Sequence, residues 1–144
     1  MAGERILVVE DNMMNMKLLR DVLQVRGYGV VEAVTAEEGL EIARSDPPAL
    51  ILMDIQLPGM DGITALGELR RDPATRHIPV IAVTASAMPM ERKEILGAGF
   101  DGYQTKPLSV KDFTAEVQRV LEASGASSER GGPEAASSKR GDES

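Results

Sequence analysis

The chain has 144 residues, no cysteine and a formal net charge of −7, which leaves room for one domain with a substantial core and excludes disulfides and thiol chemistry. That acidic balance disfavours direct nucleic-acid binding, which needs clustered Lys and Arg, and suits a divalent cation or a basic partner instead. No segment has the apolar length of a bilayer span, and Met1-Ala2-Gly3-Glu4-Arg5 leads into a short strand-like run without the apolar stretch of a signal peptide, so a cytoplasmic protein with no membrane insertion is expected.

Arg5 to Val9 reads as a buried strand, halted by Glu10-Asp11-Asn12. Either Asp11 or Asn12 can cap the next helix, about Met14 to Val25, which puts Met16, Leu19, Val22 and Leu23 at helical spacing before Gly27 supplies a left-handed stop. Gly29 to Ala33 is a second short strand. Thr35 with Glu38 fits a capping box, and the helix behind it carries Leu40, Ile42 and Ala43 and stops before Pro47-Pro48. The third strand, Leu50 to Met53, is an unbroken apolar run, as expected of a strand buried on both faces. It ends in one carboxylate, Asp54, with the Pro58-Gly59 turn close behind.

Gly62 to Arg71 is a third helix, with Ile63, Leu66 and Leu69 on one face, broken by Asp72-Pro73. Pro79 to Val83 is a fourth strand ending in Thr84. Met88 to Leu96 is a weaker helix closed by Gly97-Ala98-Gly99. Asp101 to Thr105 is a short, less apolar fifth strand ending in Lys106-Pro107. Val110 to Leu121 is a fifth helix, with Ser109 placed as its cap. Residues 124–144 hold only Ser, Gly, Ala, Pro and mixed charge, too little apolar surface to offset ordering entropy, so a disordered polar tail is expected after a domain at 1–123.

Five strand–helix alternations joined by short loops predict an α/β fold, a parallel sheet with helices on both faces. The alternation alone does not fix strand order, but the flavodoxin-like order 2-1-3-4-5, a (βα)5 three-layer sandwich, suits five strands. Ligands of such sheets bind at the carboxyl ends of the strands. Those ends carry Glu10 and Asp11, Asp54, Thr84 and Lys106. Each has an ordinary explanation when taken singly: Glu10-Asp11 as a helix-start cap, Asp54 and Thr84 as turn caps, Lys106 as a surface lysine. Together they put three carboxylates, a hydroxyl and an ammonium on one predicted edge. Crowded carboxylates need a cation or raised pKa values, and hard oxygen ligands suit Mg²⁺ better than zinc or copper. A carboxylate beside a divalent ion, with Lys and a hydroxyl opposite, suits phosphoryl transfer to the Asp54 oxygen.

Four segments resemble the receiver domain of two-component response regulators: Val8-Val9-Glu10-Asp11-Asn12, Leu52 to Gly62, Pro79 to Ala85, and Tyr103-Gln104-Thr105-Lys106-Pro107. The likeness covers about Arg5 to Ala123. It is greatest to stand-alone receivers of the DivK type and to receivers fused to hybrid histidine kinases, a likeness to which Asn12, Asn15 and Ala85-Ser86-Ala87-Met88 add. The resemblance implies Asp54 as phosphoacceptor. It implies Mg²⁺, with Mn²⁺ as a substitute, held by Asp11, Asp54 and the backbone carbonyl of Gln56, with Glu10 assisting through water. Lys106 would contact the phosphoryl group, Thr84 would move to bond it, and Tyr103 would be the switch aromatic that rotates inward. The Lys106-Pro107 bond is expected to be cis. Glu10 stands where Asp is commoner in the family, a departure that the family tolerates.

The partners so implied are a histidine kinase or histidine phosphotransfer domain as donor and a target protein meeting the fourth helix, fifth strand and fifth helix. Met13, Met14 and Met16 cannot all be buried by one helix, so the first helix is a further candidate contact surface; Met88 and Met90 suit either packing or a target. His77, the only histidine, is expected far from the site, so phosphoryl supply should come in trans. With no further domain apparent, output is expected through protein–protein contact in a phosphorelay, by a signalling receiver and not by an enzyme acting on other substrates. A hydrolase with an aspartyl-phosphate intermediate commonly has a second Asp where this chain has Gln56, which cannot act as a proton donor there. A pseudo-receiver is disfavoured by the intact Asp54, Thr84 and Lys106. A flavodoxin is disfavoured by the missing Ser/Thr-rich phosphate loop and scarce aromatics.

Overall fold

The computed structural model describes residues 3–85, 89–106 and 108–124. Ser86, Ala87, Met88, Pro107 and the expected tail beyond Ser124 lie outside the described residues, as do the side chains of Pro89 and Met90. The expected cis bond and disordered tail therefore fall there too.

Strands and helices alternate along the chain: β1 (Arg5–Val9), α1 (Met13–Val25), β2 (Gly29–Ala33), α2 (Ala36–Ser45), β3 (Leu50–Asp54), α3 (Gly62–Arg71), β4 (Val80–Thr84), α4 (Pro89–Gly97), β5 (Gly102–Thr105) and α5 (Val110–Ala123). All four pairings are parallel, and the order is β2-β1-β3-β4-β5, as the five-strand pattern suits.

The unbroken apolar runs are explained by two cores, one on each face of the sheet. Leu7, Val9, Ile51, Met53, Val80 and Ala82 point to the side covered by α2, α3 and α4. Their alternating neighbours Ile6, Val8, Leu50, Leu52 and Ile81 point to the side covered by α1 and α5, against Met16, Leu19, Phe113 and Val117. Successive strand side chains face opposite ways, so only an apolar residue at every position fills both layers. The edge strands β2 and β5 are only partly buried, which matches their more polar sequences.

Local chemistry sets the helix starts. Asn12, not Asp11, caps α1, its Oδ1 accepting from the Asn15 N–H at 3.0 Å. That leaves the Asp11 carboxylate available to the strand ends. Thr35 accepts from the Glu38 N–H at 3.1 Å, but Glu38 returns its own side chain to the Val34 N–H at 3.0 Å, one residue earlier than a capping box requires. Ser109 caps α5 and Asp61 caps α3. Three boundaries move for clear reasons. Pro79 has no N–H to give a ladder, so β4 starts at Val80, and Thr84 joins the strand by pairing with Thr105. The carboxyl end of α5 runs on to Ala123 because Val120 and Leu121 are buried and carry the last turn.

Candidate functional site

Glu10 and Asp11 follow β1 directly, Asp54 ends β3, Thr84 ends β4 and Lys106 follows β5. Parallel pairing brings these ends to one edge. Asp54 lies beside Val83, which puts Thr84 one residue further along the neighbouring strand.

Asp54 is almost fully buried, and both of its oxygens are engaged. Oδ1 accepts the Gln56 N–H at 2.9 Å, and Oδ2 accepts from Lys106 Nζ at 3.0 Å. The backbone leaving Asp54 can pass so close to the start of α3 because Gly62 opens that helix. A Cβ at Gly62 would lie 2.8 Å from the Asp54 carbonyl oxygen and 3.0 Å from Ile55 Cα, both backbone atoms. Gly59 turns the loop with a φ of 78°, a conformation costly for other residues.

Glu10 is as deeply buried as Asp54. Its Oε2 accepts the Asn12 N–H at 3.1 Å and lies 3.4 Å from Lys106 Nζ. Its Oε1 is 3.2 Å from the same ammonium, an ion pair without hydrogen-bond alignment. Burial, reinforced by the nearby Asp54 charge, pushes the Glu10 carboxyl above its usual range, against the Asn12 N–H and the Lys106 charge. Burial also works against the Lys106 ammonium, but the hydrogen bond and charge of Asp54, with the charge of Glu10, more than offset it and raise its pKa. The lysine at this edge is therefore a fixed cation.

One ammonium faces three carboxylates. Oxygens of Glu10, Asp11 and Asp54 all lie within 4.8 Å of one another, and Asp11 is exposed. The donors are all hard oxygens, one of them a buried oxygen with no hydrogen bond, and the exposed side leaves room for water. Mg²⁺, which keeps several waters and takes one or two carboxylates, fits this set.

Glu10, Asp11, Asp54, Thr84 and Lys106 all stand at this carboxyl-terminal edge of the sheet. Gln56 is exposed beside Asp54, to which it donates its N–H. Tyr103 stands three residues before Lys106, half-buried and packed against the α2–α4 core, its ring 5.8 Å from the Arg92 guanidinium. His77 lies in the α3–β4 connection, before the start of β4 and so at the opposite edge of the sheet. The full burial of Glu10 had no signal in the sequence, where Glu10-Asp11 looks like any acidic helix start.

The profile of the response regulator receiver domain matches residues 6–118. The chain belongs to the response regulator receiver family. The polar-differentiation response regulator DivK of Brucella ovis is 43% identical to this receiver over 116 residues, 81% of the chain and 94% of the relative. Among solved structures, the receiver domain of a sensor histidine kinase from Pseudomonas aeruginosa, with a magnesium ion coordinated in its active-site cleft, superposes with a TM-score of 0.77 at 33% identity, over 83% of this chain and 98% of that one. A CheY-like receiver domain protein from Methanospirillum hungatei gives a TM-score of 0.78 at 30% identity, over 87% and 98%. Receivers of this family bind Mg²⁺ at an acidic pocket, and the receiver described here carries its Asp/Glu cluster at the strand ends. They serve signalling between histidine kinases and downstream targets and are not enzymes in the usual sense. Among the described residues, no helix is long and apolar enough to cross a membrane.

Proposed function

We propose that Asp54 accepts a phosphoryl group from a histidine kinase or a histidine phosphotransfer domain, and that the aspartyl phosphate alters protein–protein contacts in a phosphorelay. The observation that carries this is the approach of Lys106 Nζ to within 3.0 Å of Asp54 Oδ2, beside the Glu10–Asp11–Asp54 cluster. An Asp54 oxygen attacks phosphorus as the bond from phosphorus to the donor imidazole nitrogen breaks. The imidazole leaves with the bonding pair and takes up a proton, and an acyl phosphate remains on Asp54. Lys106, already charged and in place, shifts from carboxylate partner to phosphoryl partner without new ordering.

Asp11, Asp54 and the Gln56 carbonyl would hold Mg²⁺, with Glu10 assisting through water. Bound there, Mg²⁺ would supply positive charge to offset that of the phosphoryl oxygens, and Mn²⁺, with the same preference for oxygen donors, could replace it. Thr84 closes on the phosphoryl oxygens from β4, and Tyr103 moves inward behind it. The receiver thereby promotes its own phosphorylation and dephosphorylation and acts on no other substrate. A target meets α4, β5 and α5. The exposed Met13 and Met14, beside the fully buried Met16, favour a contact on α1 as well. Residues 1–123 form the receiver, 124–144 a polar extension, and the protein works in the cytoplasm.

Intact-mass measurement after incubation with acetyl phosphate tests the proposal. The wild type should gain one phosphoryl group with Mg²⁺ and none with a chelator, and Asp54→Asn should gain none. Equal labelling of the variant would refute it.

A further inference from the structure

Tyr103 is held from two sides. Its ring lies 5.8 Å from the Arg92 guanidinium of α4, within the range of a cation–π contact. Its backbone N–H is donated to Glu116 Oε2 of α5, at 3.2 Å. β5 pairs with β4 alone, so its other side is the open edge of the sheet.

Glu116 is itself fixed. Arg119 donates from Nε to Glu116 Oε1 at 3.0 Å and from Nη2 to Oε2 at 2.9 Å, and the same Nη2 donates to the Asp101 carbonyl at 3.1 Å. One ion pair on α5 thus satisfies a backbone donor at Tyr103 and a backbone acceptor at Asp101. Arg119 holds the Glu116 carboxyl below the usual range, against the effect of burial, and the Tyr103 N–H and the Arg92 charge act in the same direction.

Gly102 completes the arrangement. A Cβ at Gly102 would collide with Glu116 Oε2 and press on Ile81 Cγ1 at 3.1 Å. The glycine is there for space, since its φ is not in the left-handed region.

We propose that Glu116 is a positioning residue for the strand that carries Tyr103 and leads to Lys106. Paired with Arg119, it anchors the backbone of β5 at Tyr103 while Arg92 covers the ring, and together they hold Tyr103 in its half-buried resting place. The inference rests on the receiver function proposed for Asp54, because Tyr103 can act as a switch only if phosphorylation moves it. That movement works against the clamp. Releasing the clamp shifts the resting population toward the phosphorylated arrangement and favours any ligand that selects it.

Two measurements on the full chain separate the clamp from the switch. Hydrogen exchange at the Tyr103 amide reads the clamp with no phosphoryl group present. Affinity for beryllofluoride, a phosphoryl mimic, in the presence of Mg²⁺ reads its effect on the switch. The variants are Glu116→Ala, Glu116→Gln and Gly102→Ala, the last of which keeps every charge, displaces the flexible end of Glu116 and presses on Ile81. Tyr103 exchange should accelerate on the order of tenfold in Glu116→Ala and Gly102→Ala, as expected for loss of one charge-assisted hydrogen bond. Glu116→Gln, whose amide oxygen still accepts the N–H, should lose less. Beryllofluoride should bind more tightly in the same order.

Unchanged Tyr103 exchange would overturn the proposal. So would an equal rise at amides throughout β3 and β4, which would mark general destabilisation, or faster exchange with unaltered beryllofluoride affinity. Failure of the wild type to bind beryllofluoride would count against the phosphoacceptor role of Asp54, and the Tyr103 amide would still decide whether the clamp exists.

Discussion

Lys106 Nζ, at the end of β5, stands 3.0 Å from Asp54 Oδ2, at the end of β3, reaching across the intervening β4. The same ammonium is 3.2 Å from Glu10 Oε1, so two deeply buried carboxylates share one cation. Lys106→Met would leave both without it. The variant should lose about 1–3 kcal/mol at neutral pH in metal-free buffer, less than a fully buried pair would because Lys106 retains some exposure. Urea unfolding with and without Mg²⁺ checks this, and Mg²⁺ should restore more stability to the variant than it adds to the wild type.

Metal binding should itself register as stability. A cation that binds only the folded chain adds about 2.7 kcal/mol at a hundredfold excess over its dissociation constant. Chelation should therefore lower the unfolding midpoint of the wild type. In Asp11→Asn chelation should have much less effect, and because Asp11 is exposed the substitution should cost little in metal-free buffer. Thermal melts of both proteins with and without Mg²⁺ make the comparison.

Gly62→Ala should be among the most damaging single-methyl additions near the site. The new Cβ would meet the Asp54 carbonyl oxygen at 2.8 Å and Ile55 Cα at 3.0 Å, and backbone cannot turn aside as a side chain can. A loss of about 1–3 kcal/mol is expected, together with weaker Mg²⁺ binding as Asp54 is displaced. Gly67→Ala, where nothing lies within 4 Å of the added atom, is the control and should be neutral or slightly stabilising.

Glu116 should shape the acid limb of stability. Its folded-state pKa lies below the ordinary carboxylate value, chiefly through the Arg119 hydrogen bond. Its contribution is therefore present above the unfolded-state pKa and is lost as pH falls through the folded-state pKa. Glu116→Gln should be less stable than wild type at neutral pH, and the gap should close in acid. Unfolding midpoints measured across the acid range would show the two curves converging.

The architecture was legible because the chemistry repeats. Central strands buried on both faces leave unbroken apolar runs, and Asn12, Thr35 and Ser109 mark helix starts with side chains that bond locally. The site was legible as an alignment of strand ends, since a parallel sheet must bring Glu10, Asp54, Thr84 and Lys106 together. What stayed hidden depends on distance along the chain. Glu116 on α5 reaches the Tyr103 backbone across 13 positions, and nothing near either residue signals it. Arg70 of α3 likewise donates to the Ile78 carbonyl at 2.8 Å and to Asp101 at 3.1 Å, tying the starts of β4 and β5 together, although in sequence it is one more charged residue at a helix end. The choice between Asp11 and Asn12 as cap was also open in the sequence, because either side chain suits the role and only capping by Asn12 leaves the Asp11 carboxylate free of it.

Asp54, and no other carboxylate, should be the residue that is covalently modified. Borohydride reduces an acyl phosphate on Asp to homoserine, which survives digestion and can be placed by peptide sequencing. After treatment with acetyl phosphate and Mg²⁺, then borohydride, homoserine should appear at position 54 alone and should be absent when Mg²⁺ is chelated. Homoserine at position 11 or elsewhere, or none at all, would rule out Asp54 as the phosphoacceptor.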